Sequence, residues 1–302
     1  MALCRGRSGL LLVAMALLPL GMAMDAIGSN CAGTRYAAGS GKGNIDSVLA
    51  DLVGKGSSGG FATSIAGKGN STVVYGLAQC RGDVSASDCS ACLVDAAKQL
   101  PAACSYLSDA RIWYDFCFRL AIAGSNIVVT SHITMQICLC DSELMRRELL
   151  PTVSSLMRYD NTDFVGHSDT GAGVILVNVQ AADDPKPFKT AVGKVMNKAT
   201  AKSSASGSAG LGRSKYQYTP FVTIYGLAQC TRDLAPLACA QCVSVALSKF
   251  GDYCGAQQGC QINYSSCRVR YEIYPFYFPL DGAANGRATT DMTKYTKIVV
   301  HA

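Results

Sequence analysis

The sequence predicts an α+β protein made of two copies of one disulfide-stapled domain. The hexamer YGLAQC occurs twice, at Tyr75–Cys80 and at Tyr225–Cys230. In both copies its final cysteine begins the same pattern, C-x8-C-x2-C, which chance does not supply twice. An apolar row at helical spacing precedes each hexamer, and segments with the alternation of a strand lie around it. These observations predict a duplicated domain in which helices pack on an antiparallel sheet.

Each copy is predicted to contain two helices. In the first helix, apolar residues recur three and four positions apart, as on a helix face that packs on a core. They are Ile45, Val48, Leu49, Leu52 and Val53 in copy one, and Phe188, Val192, Val195 and Met196 in copy two. The second helix follows the hexamer, with Ser87 or Asp88 as the N-cap in copy one and Pro236 near the first turn in copy two.

Strands are predicted where polar and apolar residues alternate and where β-branched or aromatic residues are frequent. The predicted strands are 72–78, 111–118, 221–228, 261–264 and 268–276. Two helices against an antiparallel sheet in each copy give an α+β sandwich.

The first 23 residues have the order of a signal peptide. Arg5 and Arg7 precede an apolar stretch at 10–20, and small residues follow it at Gly21 and Ala23. The stretch is shorter than the about 20 residues that a membrane span needs, which favours a cleaved leader at 1–23 over an uncleaved anchor. We therefore expect a secreted protein, whose fifteen cysteines form disulfide bonds rather than zinc or redox sites.

One stretch of copy one has no counterpart in copy two. Copy two has the pattern C-x-x-R-Y-[D/E] from Cys267 to Glu272, and copy one has it only when 119–156 is removed. We interpret 119–156 as an insertion from a retained intron. The alternative is a functional loop, although long unstructured loops are rare inside compact domains. With Cys4 in the leader and Cys138 and Cys140 in the insertion, six cysteines remain in each copy.

The doubled cysteine pattern, the hexamer and the C-x-x-R-Y-[D/E] strand together resemble the ginkbilobin-type, or stress-antifungal, domain of plant cysteine-rich repeat secretory proteins. The resemblance implies that each domain packs two helices on a five-stranded antiparallel sheet. We place the domains at 24–168 and 169–280, with a polar C-terminal tail at 281–302. Relatives continue into a transmembrane helix, whereas no second apolar span follows here, and we expect a mature protein without a membrane span.

The resemblance also implies the disulfide pairing. In copy one the implied bonds are Cys31 with Cys104, Cys80 with Cys89, and Cys92 with Cys117. In copy two they are Cys230 with Cys239 and Cys242 with Cys267. Copy two lacks a counterpart of Cys31, and we assign a local bond to the remaining pair, Cys254 and Cys260. Each bond restricts the unfolded chain and contributes about 2 to 4 kcal/mol.

The sequence is poor in catalytic groups, and we predict a non-enzymatic protein without a cofactor or metal. Of the three histidines, His132 lies in the insertion and His301 beside the C-terminus, so that only His167 is left for a triad or zinc site. The C-x2-C pairs also allow a thiol oxidoreductase, a third alternative that neighbouring cysteines disfavour. The net charge of +6 comes without the clustered basic stripe of a nucleic-acid binder.

The resemblance further implies a carbohydrate site, since the antifungal member of the family resembles a mannose-binding lectin with an Asn, an Arg and a Glu in its site. The matching positions are Arg111 and Asp160 in copy one, and Gln261 and Glu272 in copy two. Planar polar groups suit vicinal sugar hydroxyls because each makes two directed hydrogen bonds. Ala32 stands at the Asn position, so the match is partial. The alternative for Arg111 and Glu272 is an exposed strand residue in an ion pair.

Three further residues have competing interpretations. Trp113, the only tryptophan, is favoured as a core residue over a sugar-stacking platform. Asn70 and Asn263 begin N-x-[ST] sequons and are candidate glycosylation sites. Asn70 lies in a glycine-rich loop, whereas Asn263 lies in a predicted strand where access is restricted.

These inferences predict a secreted protein of the plant apoplast that acts in defence or stress. Its predicted partner is an extracellular glycan or a receptor-type protein. In the first case we expect a mannose-like ligand and antifungal activity. The alternative function is therefore a protein-interaction or signalling partner of receptor ectodomains with no sugar site. Neither interpretation involves nucleic acid.

Overall fold

The computed structural model describes residues 26–36, 39–117, 153–278 and 292–301. Within these ranges the chain forms four α-helices and two antiparallel sheets, which confirms the predicted α+β class. None of the described helices is both long and apolar enough to cross a membrane. The predicted leader at 1–23 lies outside the described residues.

The first half of the chain forms a five-stranded sheet covered by two helices. Its elements in chain order are β1 (Gly28–Arg35), α1 (Ser40–Gly59), β2 (Phe61–Ala66), β3 (Val74–Cys80), α2 (Ala86–Ala103), β4 (Leu107–Cys117) and β5 (Val153–Asp160). The strands lie in the order β1-β4-β5-β3-β2, and every neighbouring pair is antiparallel.

The second half repeats this architecture. Its elements are β6 (Gly173–Asn178), α3 (Pro185–Ser203), β7 (Leu211–Gln217), β8 (Thr223–Cys230), α4 (Pro236–Ser248), a π-helical turn (Phe250–Cys254), β9 (Gly259–Tyr264), β10 (Cys267–Glu272) and β11 (Tyr295–Val300). The sheet order β6-β9-β10-β8-β7 matches that of the first half.

A sixth strand extends the second sheet. β11 pairs antiparallel with β6 at the edge of the sheet. It lies within the segment that the sequence indicates as a polar tail, 281–302, so part of that segment belongs to the fold. The local sequence, YTKIVV, is rich in β-branched residues, and the unpaired groups of an edge strand accept such a segment readily.

The helices begin close to where the sequence indicates. The N-cap of α2 is Ser85 rather than Ser87 or Asp88, because the Ser85 hydroxyl accepts a hydrogen bond from the Asp88 amide at 3.1 Å. Pro236 occupies the first turn of α4 as predicted. The predicted apolar rows of α1 and α3 face the two cores, and Val53 alone among them is half-buried.

The repeated hexamer forms a strand with two different faces. Its glycine faces the helices: a Cβ atom on Gly76 would lie 2.2 Å from Val48, and one on Gly226 would lie 2.3 Å from Val195. Because successive side chains alternate across a sheet, the tyrosine, leucine and glutamine of the hexamer point to the opposite face. The first helix of each copy therefore packs directly on the backbone of this strand.

Five disulfide bonds are described. They join Cys31 to Cys104, Cys80 to Cys89, Cys230 to Cys239, Cys242 to Cys267, and Cys254 to Cys260. Cys92 is also disulfide-bonded, while the side chain of its expected partner, Cys117, lies outside the described residues. The C-x2-C cysteines of copy two bond to partners outside their pair, so that they attach α4 to the sheet.

The local bond of copy two follows from the strand register. Cys31 lies opposite Ala110 in copy one, and Val177 lies opposite Cys260 in copy two. Val177 thus stands where Cys31 would be needed. Cys254 bonds instead to Cys260 on the neighbouring strand.

The predicted C-terminal end of the insertion, residue 156, is wrong, because β5 already begins at Val153. Ser155 lies opposite Cys80 in the same way that Cys267 lies opposite Cys230, so Ser155 is the counterpart of Cys267. Residues 153–156, which the sequence places in the insertion at 119–156, form the first half of β5. Two strands, β3 and β4, flank this position and provide pairing on both sides. Cys138 and Cys140 lie outside the described residues.

The two-faced hexamer strand gives a test of helix packing. Gly226→Ala would place a methyl group 2.3 Å from Val195, and we expect such overpacking to lower the free energy of unfolding by about 1 to 3 kcal/mol. The control is Gly54→Ala in α1, where a Cβ atom meets no atom within 4 Å and the change should stabilise by roughly 0.5 to 1 kcal/mol. Urea unfolding of both variants measures the difference, and equal effects would contradict the close packing.

Candidate functional site

The two sheets pack against each other through the faces that the helices leave free. An apolar cluster from both halves fills the centre of this interface: Ile27, Leu77, Trp113, Leu156, Phe164, Ala172, Val174 and Leu176. The two hexamers also exchange hydrogen bonds. Gln79 donates to the Cys230 carbonyl at 2.9 Å, and Gln229 donates to the Cys80 carbonyl at 3.3 Å. The outward face of each hexamer is therefore a docking face for the other copy.

All four residues predicted to bind a ligand lie in this interface. The exposed fractions are 3% for Arg111, 7% for Asp160, 1% for Gln261 and 0% for Glu272. Arg111 reaches across to copy two, and Gln261 reaches across to copy one. The structure thus distributes the four side chains between two buried polar networks.

The first network, the Arg111 network, consists of Asp109, Arg111, Arg158, Asp160 and Asp169. Arg111 donates to Asp109 at 2.5 Å and to Asp169 at 2.7 Å. Arg158 pairs with Asp160 and with Asp169, both at 2.8 Å. Asp169 lies on the segment between the two copies and neutralises arginines from two adjacent strands. This geometry holds the connecting segment against the first sheet.

The second network, the Arg270 network, consists of Asp115, Gln261, Arg270, Glu272 and Tyr274. Asp115 of copy one lies 3.1 Å from Arg270 and accepts a hydrogen bond from Gln261 at 3.0 Å. Arg270 also donates to Glu272 at 2.9 Å and to the Tyr274 hydroxyl at 3.1 Å. An aspartate of one copy is therefore the counter-ion for an arginine of the other.

Burial affects the two carboxylates of this network differently. Burial disfavours the charge on Asp115, but Arg270 and Arg268 outweigh it and hold the pKa of Asp115 below its usual value. Burial also acts on Glu272, where it exceeds the attraction of Arg270 and raises the pKa to about 7. Asp115 is thus the carboxylate that keeps Arg270 neutralised, and Glu272 is the one that takes up a proton near neutral pH.

Each of the four predicted ligand-binding side chains makes a hydrogen bond or ion pair with a protein group. The alternative interpretation of Arg111 and Glu272 as strand residues in ion pairs describes their contacts, although both are buried rather than exposed. Such pairs can fix the orientation of two packed surfaces, because an unpaired buried charge is costly.

Sequence reasoning missed the arginines that organise the two networks. Arg158 and Arg270 belong to the repeated R-Y-[D/E] motif, which places an arginine and a carboxylate two positions apart on one face of a strand. Both pairs form within the strand, at 2.8 Å to Asp160 and 2.9 Å to Glu272. The repetition of this motif in both copies could have indicated an arginine–carboxylate pair on the same face of each strand. Asp115 carries no such signal, because its partner comes from the other copy.

The remaining candidate residues lie in different environments. Trp113 is 3% exposed and donates from its indole nitrogen to the Tyr264 carbonyl at 3.1 Å, so it is a core residue of the interface. Asn70 is exposed in a turn between β2 and β3. Asn263 is buried in β9 and donates to the Val174 carbonyl. Of the two sequons, the one at Asn70 is accessible in the folded chain.

Comparisons with known proteins agree with this architecture. Residues 29–120 and 177–274 match the family described as Salt stress response/antifungal. Cysteine-rich repeat secretory protein 55 of Arabidopsis thaliana is 43% identical over 246 residues, which cover 80% of this chain and 79% of that protein. Antimicrobial ginkbilobin-2-like protein of Castanea crenata is 34% identical over 239 residues, which cover 77% and 80%.

A solved structure supports the fold independently. The tandem DUF26 ectodomain of the Arabidopsis thaliana cysteine-rich receptor-like protein PDLP8 superposes with a TM-score of 0.62 at 22% sequence identity. The match covers 83% of this chain and 98% of that ectodomain. The similarity shows that the tandem two-domain fold is shared.

The Arg270 network predicts a strong effect of removing Asp115. Asp115→Asn removes one of the two buried carboxylates that contact Arg270, the one that comes from the other copy, and we expect a loss of about 3 to 5 kcal/mol in the free energy of unfolding. The control is Asp252→Asn, which breaks an exposed pair with Lys249 and should cost less than about 1 kcal/mol. Denaturant unfolding at neutral pH measures both, and a small effect of Asp115→Asn would contradict the role of the network.

The raised pKa of Glu272 predicts a pH dependence of stability. The folded chain holds the Glu272 proton up to about pH 7, whereas an unfolded glutamate releases it near its usual pKa of about 4.3. The stability that this proton contributes is therefore complete below about pH 4.3 and is lost as the pH rises to 7. Relative to the unmodified chain, Glu272→Gln should gain stability between pH 5 and pH 8, by on the order of a few kcal/mol. Thermal unfolding of Glu272→Gln and of the unmodified chain across this pH range tests the prediction, with Asp252→Asn as the control. The same pH dependence of the unfolding temperature in Glu272→Gln and in the unmodified chain would contradict the raised pKa of Glu272.

Proposed function

This chain belongs to the salt stress response/antifungal family of secreted cysteine-rich repeat proteins, and we propose that it acts as a non-enzymatic extracellular binding protein in plant stress or defence. Antimicrobial activity is part of the proposal. It is supported by 34% identity to a relative named as antimicrobial, over most of both chains.

The burial of the four strand residues carries the more specific part of the proposal. Arg111, Asp160, Gln261 and Glu272 are each at most 7% exposed and serve the contact between the two sheets. A mannose-type ligand at these positions would have to replace ion pairs that neutralise buried arginines, at a substantial desolvation cost. We therefore place the functional ligand on the outer surfaces of the two copies. The alternative is a signalling partner of receptor ectodomains, which uses the same surfaces without antimicrobial activity.

Growth assays with a filamentous fungus test the proposal. We expect the folded, disulfide-bonded chain to inhibit growth, and excess mannose to leave the inhibition unchanged, because the mannose-type positions are occupied by protein contacts. The reduced and alkylated chain is the control and should be inactive. Absence of inhibition by the folded chain would contradict the antimicrobial part and favour the signalling alternative.

Calorimetric titration with mannose tests directly whether the chain binds this sugar. No saturable heat is expected for the unmodified chain. Saturable mannose binding that is lost in Arg111→Lys, with an unchanged unfolding temperature, would contradict the proposed location of the ligand and establish an open sugar site.

A further inference from the structure

Copy two contains a cavity of about 320 Å³ between α3 and the π-helical turn. Its walls are mostly apolar and aromatic: Phe188, Val192, Met196, Leu247, Phe250 and Tyr271. Lys189 and Asn197 supply polar groups at its rim, and Gly193 leaves one wall without a side chain. The volume lies within the range of about 300 to 1,000 Å³ that is typical of small-molecule sites, and such sites also have mostly apolar and aromatic walls.

The equivalent place in copy one can be identified from contacts that both copies make. Val48 and Val195 each lie against the hexamer glycine. The carbonyls of Gly56 and Ser203 each face the sulfur of the first cysteine in the second helix, at 3.8 and 3.7 Å. These contacts fix the alignment of α1 with α3. The equivalent pairs that follow are Gly41 with Phe188, Lys42 with Lys189, and Asp46 with Gly193.

A second pair of contacts aligns the turn after the second helix. The Tyr36 amide donates to the Tyr106 carbonyl at 2.9 Å, and the Ala182 amide donates to the Ala256 carbonyl at 2.9 Å. Tyr36 is therefore equivalent to Ala182, and Tyr106 is equivalent to Ala256. Copy two lacks both of these aromatic rings, with alanine at each position.

One of these rings has a replacement in copy two. In copy one, the Tyr36 ring lies directly over Gly41, where a Cβ atom would be 2.6 Å from the ring. The equivalent residue of copy two is Phe188, which is 2% exposed and packs edge-on against Tyr218. A ring supplied by α3 therefore compensates for the ring lost at Ala182.

The second ring, that of Tyr106, has no equivalent replacement in copy two. In copy one, the Tyr106 hydroxyl donates to Asp46 at 3.1 Å, and the Lys42 ammonium lies 4.6 Å from the centre of the ring. In copy two, alanine and glycine stand at the positions of Tyr106 and Asp46, while the lysine is kept as Lys189. The cavity lies beside this lysine and glycine. By the alignment of the two copies, it lies next to the residues equivalent to Lys42 and Asp46, which the Tyr106 ring contacts in copy one.

The two copies also differ in charge at this place. Asp46 is replaced by Gly193, and Lys189 is exposed and forms no ion pair with any carboxylate in the described part of the chain. A lysine beside aromatic and apolar walls is complementary to a ligand that combines a flat ring with a negative charge. A neutral or cationic aromatic ligand would leave the lysine without a partner.

We propose that this cavity binds a small aromatic carboxylate. The ring of the ligand occupies the place that the Tyr106 ring takes in copy one, and its carboxylate pairs with Lys189. The site lies in copy two and goes beyond the proposed function, since it requires neither antimicrobial activity nor an outer-surface partner.

Calorimetric or NMR titration of the full secreted chain with phenylacetate tests the proposal. We expect saturable binding of one phenylacetate per chain. Benzyl alcohol, which lacks the charge, and cyclohexylacetate, which lacks the aromatic ring, should each bind at least ~5-fold more weakly. Absence of saturable phenylacetate binding, or equal affinity for either analogue, would overturn the proposal.

Two variants locate the binding in the cavity. A Cβ atom on Gly193 meets no atom within 4 Å, so Gly193→Leu fills the cavity from a helical position that tolerates a side chain. It should abolish phenylacetate binding without lowering the unfolding temperature. Lys189→Gln should weaken phenylacetate by ~10-fold and leave benzyl alcohol unchanged.

The matched controls lie in copy one. Gly54→Leu is also a substitution at an open position of a helix, and Lys42→Gln removes the lysine equivalent to Lys189. Both should bind phenylacetate as the unmodified chain does. Full binding by Gly193→Leu, or equal losses in the variants and their controls, would overturn the assignment. Any of these failures would leave the growth assay of the proposed function unaffected.

Discussion

Buried arginines at the contact between the two sheets constrain how the two copies can be arranged. Arg270 of copy two needs Asp115 of copy one at 3.1 Å, and Arg111 of copy one uses Asp169 on the connecting segment at 2.7 Å. Sliding one sheet over the other would separate Arg270 from Asp115 within a medium that solvates charges poorly. Apolar burial around Trp113 supplies attraction without direction. The ion pairs add direction, so that the interface has one favoured register.

The repeated strand explains why both faces of each sheet are specialised. The glycine of the hexamer admits a helix at van der Waals distance on one side, and its glutamine binds a carbonyl of the other copy on the opposite side. A single strand therefore joins the outer helices to the central interface. This dual use is a reason for the hexamer to be the segment that the two copies share most completely. The covering loops and turns, which meet fewer constraints, have diverged, as the exchange of Tyr106 for Ala256 shows.

Much of the fold could be predicted from periodicity and from the cysteines, because these patterns are local. The apolar rows of α1 and α3 and the start of α4 at Pro236 are such cases. β11 could not be predicted, since its partner β6 is more than 100 residues away in the chain. The positions of Arg111 and Glu272 were identified, but their burial depends on the packing of one sheet on the other, which no local pattern encodes. The cavity in copy two lies between α3 and the π-helical turn, which are far apart in the chain, and no local pattern encodes it.

The sixth strand has a consequence for the solution behaviour of the molecule. β11 covers the outer edge of β6, and the equivalent edge strand of the other sheet, β1, has no such cover among the described residues. An uncovered strand edge offers a row of amides and carbonyls to any extended chain that approaches it. Without β11, β6 would present a valine- and isoleucine-rich edge of six residues. Proteolytic loss of the C-terminal strand would therefore expose a second strand edge, and this edge of the second sheet would become a place where strands of other molecules can pair.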